Sequence, residues 1–187
     1  MLSLLSRLPL PLLYALCGAA AWLLRATGWR RAMVDDGLAL CLPQASTAER
    51  GQQARDFYAW LGRLVAETLR GARMSPGEFE QRMRFEDDHV VREALAEGRK
   101  VLLVTGHHCN WEWVLLEASR RFGGPLVCPY KPVSRAGTDR WMRGLRSRFG
   151  ATLVPAKPSG QHLIEQRGSV KLLALVHHQS PPASSDH

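Results

Sequence analysis

From Lys100 onward the chain alternates short apolar runs with stretches of helical period, and this alternation constrains the fold more than any other feature of its 187 residues. Val101–Thr105 reads as a strand, Trp111–Arg121 as a helix, Pro125–Cys128 as a second strand and Thr138–Phe149 as a second helix. Thr152–Val154 is a third strand, Ser159–Gln166 a helix closed by Gly168, and Val170–Val176 a fourth strand. Continuously apolar strands separated by helices build a parallel sheet covered on both faces. The expected class is therefore α/β, a mostly parallel sheet flanked by helices, with a membrane-associated helix at the N-terminus. Ligands of such sheets gather at the carboxyl ends of the strands. Two polar stretches fall there: "TGHHCNWEW" (Thr105–Trp113) and "HHQS" (His177–Ser180).

The N-terminal part has a different texture. Leu8 to Leu24 are 17 consecutive uncharged residues, bounded by Arg7 and Arg25. That length is at the lower limit for crossing a bilayer, and Pro9 and Pro11 spoil the first turn. Arg25, Arg30 and Arg31 form a basic collar, with Trp22 and Trp29 as candidate interfacial anchors. A cleaved signal peptide ending near Gly18–Ala21 and a buried core helix compete with a retained anchor. We take residues 1–30 as an anchor and 31–187 as the α/β domain. Within the latter, Ser46 followed by Glu49 is a capping box. The helix it opens runs to about Leu69, with Phe57, Trp60, Leu61, Leu64, Val65, Thr68 and Leu69 on its apolar face. "SPGEFEQRM" reads as a turn opening a short helix, and "DDHVVREALAEGRK" as a helix ending at Gly98.

Charge narrows the partners. A formal net charge of +8 and a pI near 9.9 favour an acidic one, whether nucleic acid, anionic lipid or an acidic carrier protein. Nucleic acid drops out, because the arginines lack aromatic interleaving and no reader motif is present. The four widely spaced cysteines form no C-x-x-C pair and read as free thiols.

His107 sits at a strand exit and Glu112 in the first turn of the following helix, where the dipole favours a carboxylate. The loop between them can turn Glu112 toward the His107 ring, so that one ring nitrogen stays protonated and the other is a base facing the cleft. A substrate that brings its own hydroxyl then needs no protein nucleophile. Gly106 permits close approach of a ligand to the backbone, and Asn110 can cap the helix. On spacing alone, this reading stands beside a glutamate that merely charges a helix start. A metal site of His107, His108, Cys109, His177 and His178 is weaker, since adjacent histidines in a strand point to opposite faces. No metal and no cofactor are expected. Arg135, Arg140, Arg143, Arg146 and Arg148 form a basic cluster that also suits a solvated face meeting anionic lipid, and Lys131 follows a strand end, where it can meet a phosphate or simply solvent.

"TGHHCNWEW" resembles the H-x4-D/E motif, in its G-H-x-x-N-W-E form, of the late lipid A acyltransferases, the lauroyl and myristoyl transferases. "LCLPQASTAER", "CPYKPV", "LRSRFGATLVP" and "LLALVHHQSPP" are similar to further blocks of that family, in order and spacing along essentially the whole chain. The resemblance implies an enzyme that moves a fatty acyl chain from acyl carrier protein to a hydroxyl of a lipid A precursor, among anionic lipids at the cytoplasmic face of the inner membrane. It makes His107 the general base, Glu112 its orienting partner, and Arg146, with Arg148 nearby, a binder of phosphate or oxyanion. His178 stands where the family usually has aspartate, and family members continue through a further sheet-forming half, so a C-terminal truncation is expected. The alternatives are an inactive truncated membrane module and an acyltransferase acting on another glycolipid or a polyene lipid.

Overall fold

The computed structural model describes residues 2–123, 126–156, 168 and 170–177. The expected helix Ser159–Gln166 and the stretch His178–Ser180 lie outside the described residues. The chain divides after Arg73 into two compact units, so the boundary expected after residue 30 falls inside the first unit.

The first unit is helical: α1 (Leu2–Leu5), α2 (Leu10–Ala26), α3 (Arg31–Cys41) and α4 (Thr47–Gly71). Ser46 caps α4 as its sequence requires. Its hydroxyl accepts from Glu49 N at 3.2 Å, and Glu49 Oε2 accepts from Ser46 N at 2.7 Å. The helix buries Tyr58, Gly62, Leu64, Ala66 and Leu69, whereas Phe57 and Val65 stay exposed. The buried stripe is thus rotated from the one read off the large apolar residues. Close packing explains the rotation. At Gly62 a Cβ would lie 2.9 Å from the Cys17 carbonyl oxygen and 3.1 Å from Ala21 Cβ, so small residues let α2 and α4 approach. Tyr14 Oη donates to Glu67 at 2.9 Å, and Tyr58 Oη donates to the Trp29 carbonyl at 2.5 Å.

Among the described residues no single helix is long and apolar enough to cross a membrane. The helices α2 and α3 pass on length and composition only as a pair, and they meet at 89°, where Arg30 adopts a left-handed φ of 55°. Large apolar side chains nevertheless stand exposed along them, among them Leu12, Leu16, Trp22, Leu23, Trp29 and Met33.

The second unit holds α5 (Pro76–Arg82), α6 (Asp88–Ala96), β1 (Val101–Gly106), α7 (Trp111–Phe122), β2 (Leu126–Tyr130), α8 (Ala136–Arg146), β3 (Thr152–Pro155) and β4 (Leu172–His177). The strands are all parallel and run β1-β4-β2-β3, with Val101 opposite Leu172 and Leu126 opposite the same residue. The alternation predicts this class correctly. The steps from β1 to β2 and from β2 to β3 run in one direction, so right-handed crossovers carry α7 and α8 over the same face. The two helices touch there. Leu115 and Ala118 of α7 pack on Leu126, Cys128 and Leu172, with Val101, Leu103 and Ala174 beside them. Val127, Val154 and Val170 cluster with Leu173 in a second, smaller core. The expectation of cover on both faces does not extend to β1. Leu102 is 55% exposed and Val104 61% exposed, because they point to the face of β1 opposite the one on which Val101 and Leu103 pack into the core.

Candidate active site

The site grows from the end of β1. After Gly106 the chain must reverse into α7 within four residues, and it does so through a non-glycine residue in the left-handed region, Cys109 at φ 51°. Backbone strain of this kind is costly and needs surrounding structure to hold it. Asn110 supplies part of that support, its side-chain oxygen accepting from Trp113 N at 3.1 Å. The turn leaves the ring of His107 edge-on against Trp111, with centroids 4.9 Å apart.

Glu112 is only 5% exposed. The carboxylate expected to turn toward His107 is turned to Arg146 instead. Arg146 Nε donates to Glu112 Oε2 at 2.9 Å and to Oε1 at 3.2 Å, while Nη2 donates to Oε1 at 2.5 Å. A buried carboxylate is satisfied better by a charged, forked donor than by one ring N–H, which accounts for the choice. Burial opposes the charge on Arg146, and the hydrogen bonds and charge of Glu112 outweigh it, so the guanidinium is held above its ordinary value. Nearby, burial pushes the Cys128 thiol up to about 11, with Arg146 pulling it down and Glu112 pushing it up. That thiol stays protonated at neutral pH and is a poor nucleophile. His107 Nδ1 is buried and has no hydrogen-bond partner among the described residues.

These groups line one cavity of about 500 Å³. Its polar lining residues include His107, Glu112, Lys131 and Arg146, and its apolar ones Phe85, Leu103, Leu115, Ala118 and Ala174. The structure therefore gathers His107, Glu112, Lys131 and Arg146 from three separate stretches of chain. The other expected site residues stand apart. Arg148 places its guanidinium over the Phe149 ring at 4.7 Å and does not line the cavity. Gly106 also lies off the lining, and a Cβ there would meet nothing within 4 Å. Asn110 acts as the helix cap. His108 is exposed and outside the lining. Among the described residues no group of three or more His, Cys, Asp or Glu side chains could hold a metal ion.

Sequence reasoning missed Phe85, Trp111, Cys128 and Tyr130 as lining residues. Trp111 was reachable, because it lies one residue before Glu112 at the start of a helix on the same strand end. Phe85 left no signal, since it precedes α6 and meets the cavity only through tertiary packing.

The family model described as bacterial lipid A biosynthesis acyltransferase matches residues 1–173. The chain belongs to that family. A comparison with curated proteins finds no match. The family match extends across both compact units and takes in every described element up to the start of β4. Membership in an acyltransferase family accords with a cavity lined by both polar and apolar side chains.

Proposed function

We propose that the protein transfers a fatty acyl chain from acyl carrier protein to a hydroxyl of a lipid A precursor, with His107 as general base. The observation that carries this reading is that His107, Glu112, Lys131 and Arg146 line one cavity together with many apolar side chains, a lining that suits an acyl chain. In the reaction, the acceptor oxygen attacks the thioester carbonyl while its proton passes to the imidazole of His107. The tetrahedral oxyanion collapses, the carbon–sulfur bond breaks, and the departing carrier thiolate takes that proton back. An ester and a free carrier thiol result. In this reading Glu112, bound to Arg146 in the structure, turns to the ring during the reaction, orients it and stabilises the imidazolium that forms between the two transfers. Arg146 and Lys131 are the cations placed to meet the oxyanion or a phosphate.

The location we propose is the cytoplasmic face of the inner membrane, in contact with anionic lipids. The exposed Leu12, Leu16, Trp22, Leu23 and Trp29, beside Arg25, Arg30 and Arg31, support contact at the interface. The protein is expected to sediment with membranes at physiological salt, and recovery wholly in the soluble fraction overturns this part of the reading. The chemistry is tested by incubating membranes that hold the protein with an acyl carrier protein thioester and a tetra-acylated lipid A precursor. A mass gain of one acyl chain on the precursor is the expected product. No gain, with the thioester intact, refutes the reading.

A further inference from the structure

Two features of the cavity are in tension. Glu112 gives both its oxygens to Arg146, while the buried Nδ1 of His107, a residue lining the same cavity, has no partner among the described residues. A buried polar atom without a partner is uncommon enough to need an account. The Arg146 guanidinium is also incompletely used. Its bonds to Glu112 come from Nε and Nη2, and no hydrogen bond among the described residues uses Nη1. Lys131 lines the same cavity. With Arg146 and Lys131 positive and Glu112 negative, the lining carries one net positive charge before His107 is counted. Such a lining attracts an anion. An anion seated on Arg146 repels the carboxylate beside it, and the unpartnered Nδ1 of His107, five residues before Glu112 and on the same cavity, is a candidate donor for that carboxylate.

We propose that Arg146 is a positioning residue that holds Glu112 until a phosphate-type anion of a substrate competes for its guanidinium, whereupon Glu112 accepts from His107 Nδ1 and completes the catalytic pair. Substrate binding would then assemble the base. The guanidinium suits this exchange because its fork binds a carboxylate or a phosphate with the same geometry. The inference rests on the reading of His107 as base, and its test is separable from activity. The charged and titratable groups lining the cavity are Glu112 on α7, Cys128 and Tyr130 on β2, Lys131 after β2 and Arg146 on α8. The described lining residues of β1 and β4 are Thr105 and apolar ones. An increase in the protonation midpoint of His107 therefore reports the arrival of the Glu112 charge, provided a Glu112→Gln control removes it.

The experiment follows the His107 ring by nitrogen NMR of histidine-labelled full-length protein, assigned by difference from His107→Gln. Inorganic phosphate is added first. The midpoint is expected to rise by about one unit, the effect of an opposite charge moving to within hydrogen-bonding reach. In Glu112→Gln the rise should vanish. In Arg146→Lys, which keeps the charge and loses the fork, the midpoint should start high and respond little. Thermal melting confirms that each variant is folded. Two further arms identify the source of the anion: an acyl pantetheine thioester with and without its phosphate, and the acceptor lipid with and without its phosphates. The phosphate-bearing member of one pair should reproduce the rise. A wild-type midpoint indifferent to phosphate, a rise that persists in Glu112→Gln, or an Arg146→Lys variant that behaves as wild type overturns the proposal. If His107→Ala abolishes transfer while the midpoint ignores phosphate, the exchange is wrong and the base assignment stands. If His107→Ala keeps full transfer, the base assignment fails on its own.

Discussion

Helix α7 buries two glutamates five residues apart, and they are held in opposite ways. Glu117, fully buried, takes its partners from its own helix: Arg120 at 2.8 Å and Arg121 at 3.0 Å, one turn further on. Those arginines reach onward to Glu80 at 3.1 Å and Asp88 at 2.9 Å, tying α7 to α5 and α6. Glu112 instead has one arginine, 34 residues away on α8, and a cavity beside it. A carboxylate with several local partners has nowhere else to go and contributes rigidity. One with a single distant partner, on a cavity that is also lined by His107 with its unpartnered Nδ1, is free to change hands in the exchange proposed above. The same residue type on the same helix is thus tied into a local network at one end and borders a cavity at the other.

Variants can break the comparison at either end. The largest effect is expected at the cavity. His107→Ala and Glu112→Gln should each lower acyl transfer by about 10²–10⁴-fold, the usual cost of losing a general base or its support. His107→Ala should melt close to wild type, whereas Glu112→Gln, which leaves Arg146 without its charged partner, should also lose stability, so transfer is compared per folded molecule. Glu117→Gln should reverse the pattern, costing about 3 kcal/mol of stability by leaving two arginines short of charge, with little loss of transfer per folded molecule. Denaturant unfolding measures this effect, and equal stability would show that the network is held by its outer partners alone. His108→Ala is expected to change transfer by less than about threefold, since its side chain leaves the strand end away from the cavity. Should it abolish transfer while His107→Ala retains it, the two histidines have been assigned the wrong way round.

The smallest effect concerns pH. Hydrogen bonds from Arg121, and then from Arg92, hold the Asp88 carboxyl below its ordinary value. A depressed carboxylate stabilises the fold above its unfolded value, and that stability is lost as pH falls through the folded one. Acid unfolding followed below the ordinary aspartate range should therefore begin at a higher pH in Asp88→Asn than in wild type. Matching curves would place the acid sensitivity elsewhere.

Much of this was legible from local pattern. The β/α alternation after Lys100 predicted a parallel sheet, and Ser46 with Glu49 marked the start of α4 correctly. The strand exit at His107 and the helix start at Glu112 put both on one edge of the sheet, and both line the cavity. Where the reading went astray, long-range packing decided. The buried stripe of α4 follows Gly62 and Ala66 rather than Phe57 and Val65, because the helix it meets rewards close approach over bulk.

Sequence by itself determined the elements and the chemistry each end presents, since capping, helical period and strand hydrophobicity act between residues a few positions apart. Tertiary structure alone decided the strand order β1-β4-β2-β3, the entry of Phe85 into the cavity wall and the partner of Glu112. A carboxylate in a helix's first turn is satisfied equally well by water, a ring N–H or a guanidinium as far as local rules go. Only the folding of α8 beside α7 brings Arg146 within 3 Å, and a charged fork in a buried setting then outcompetes the rest.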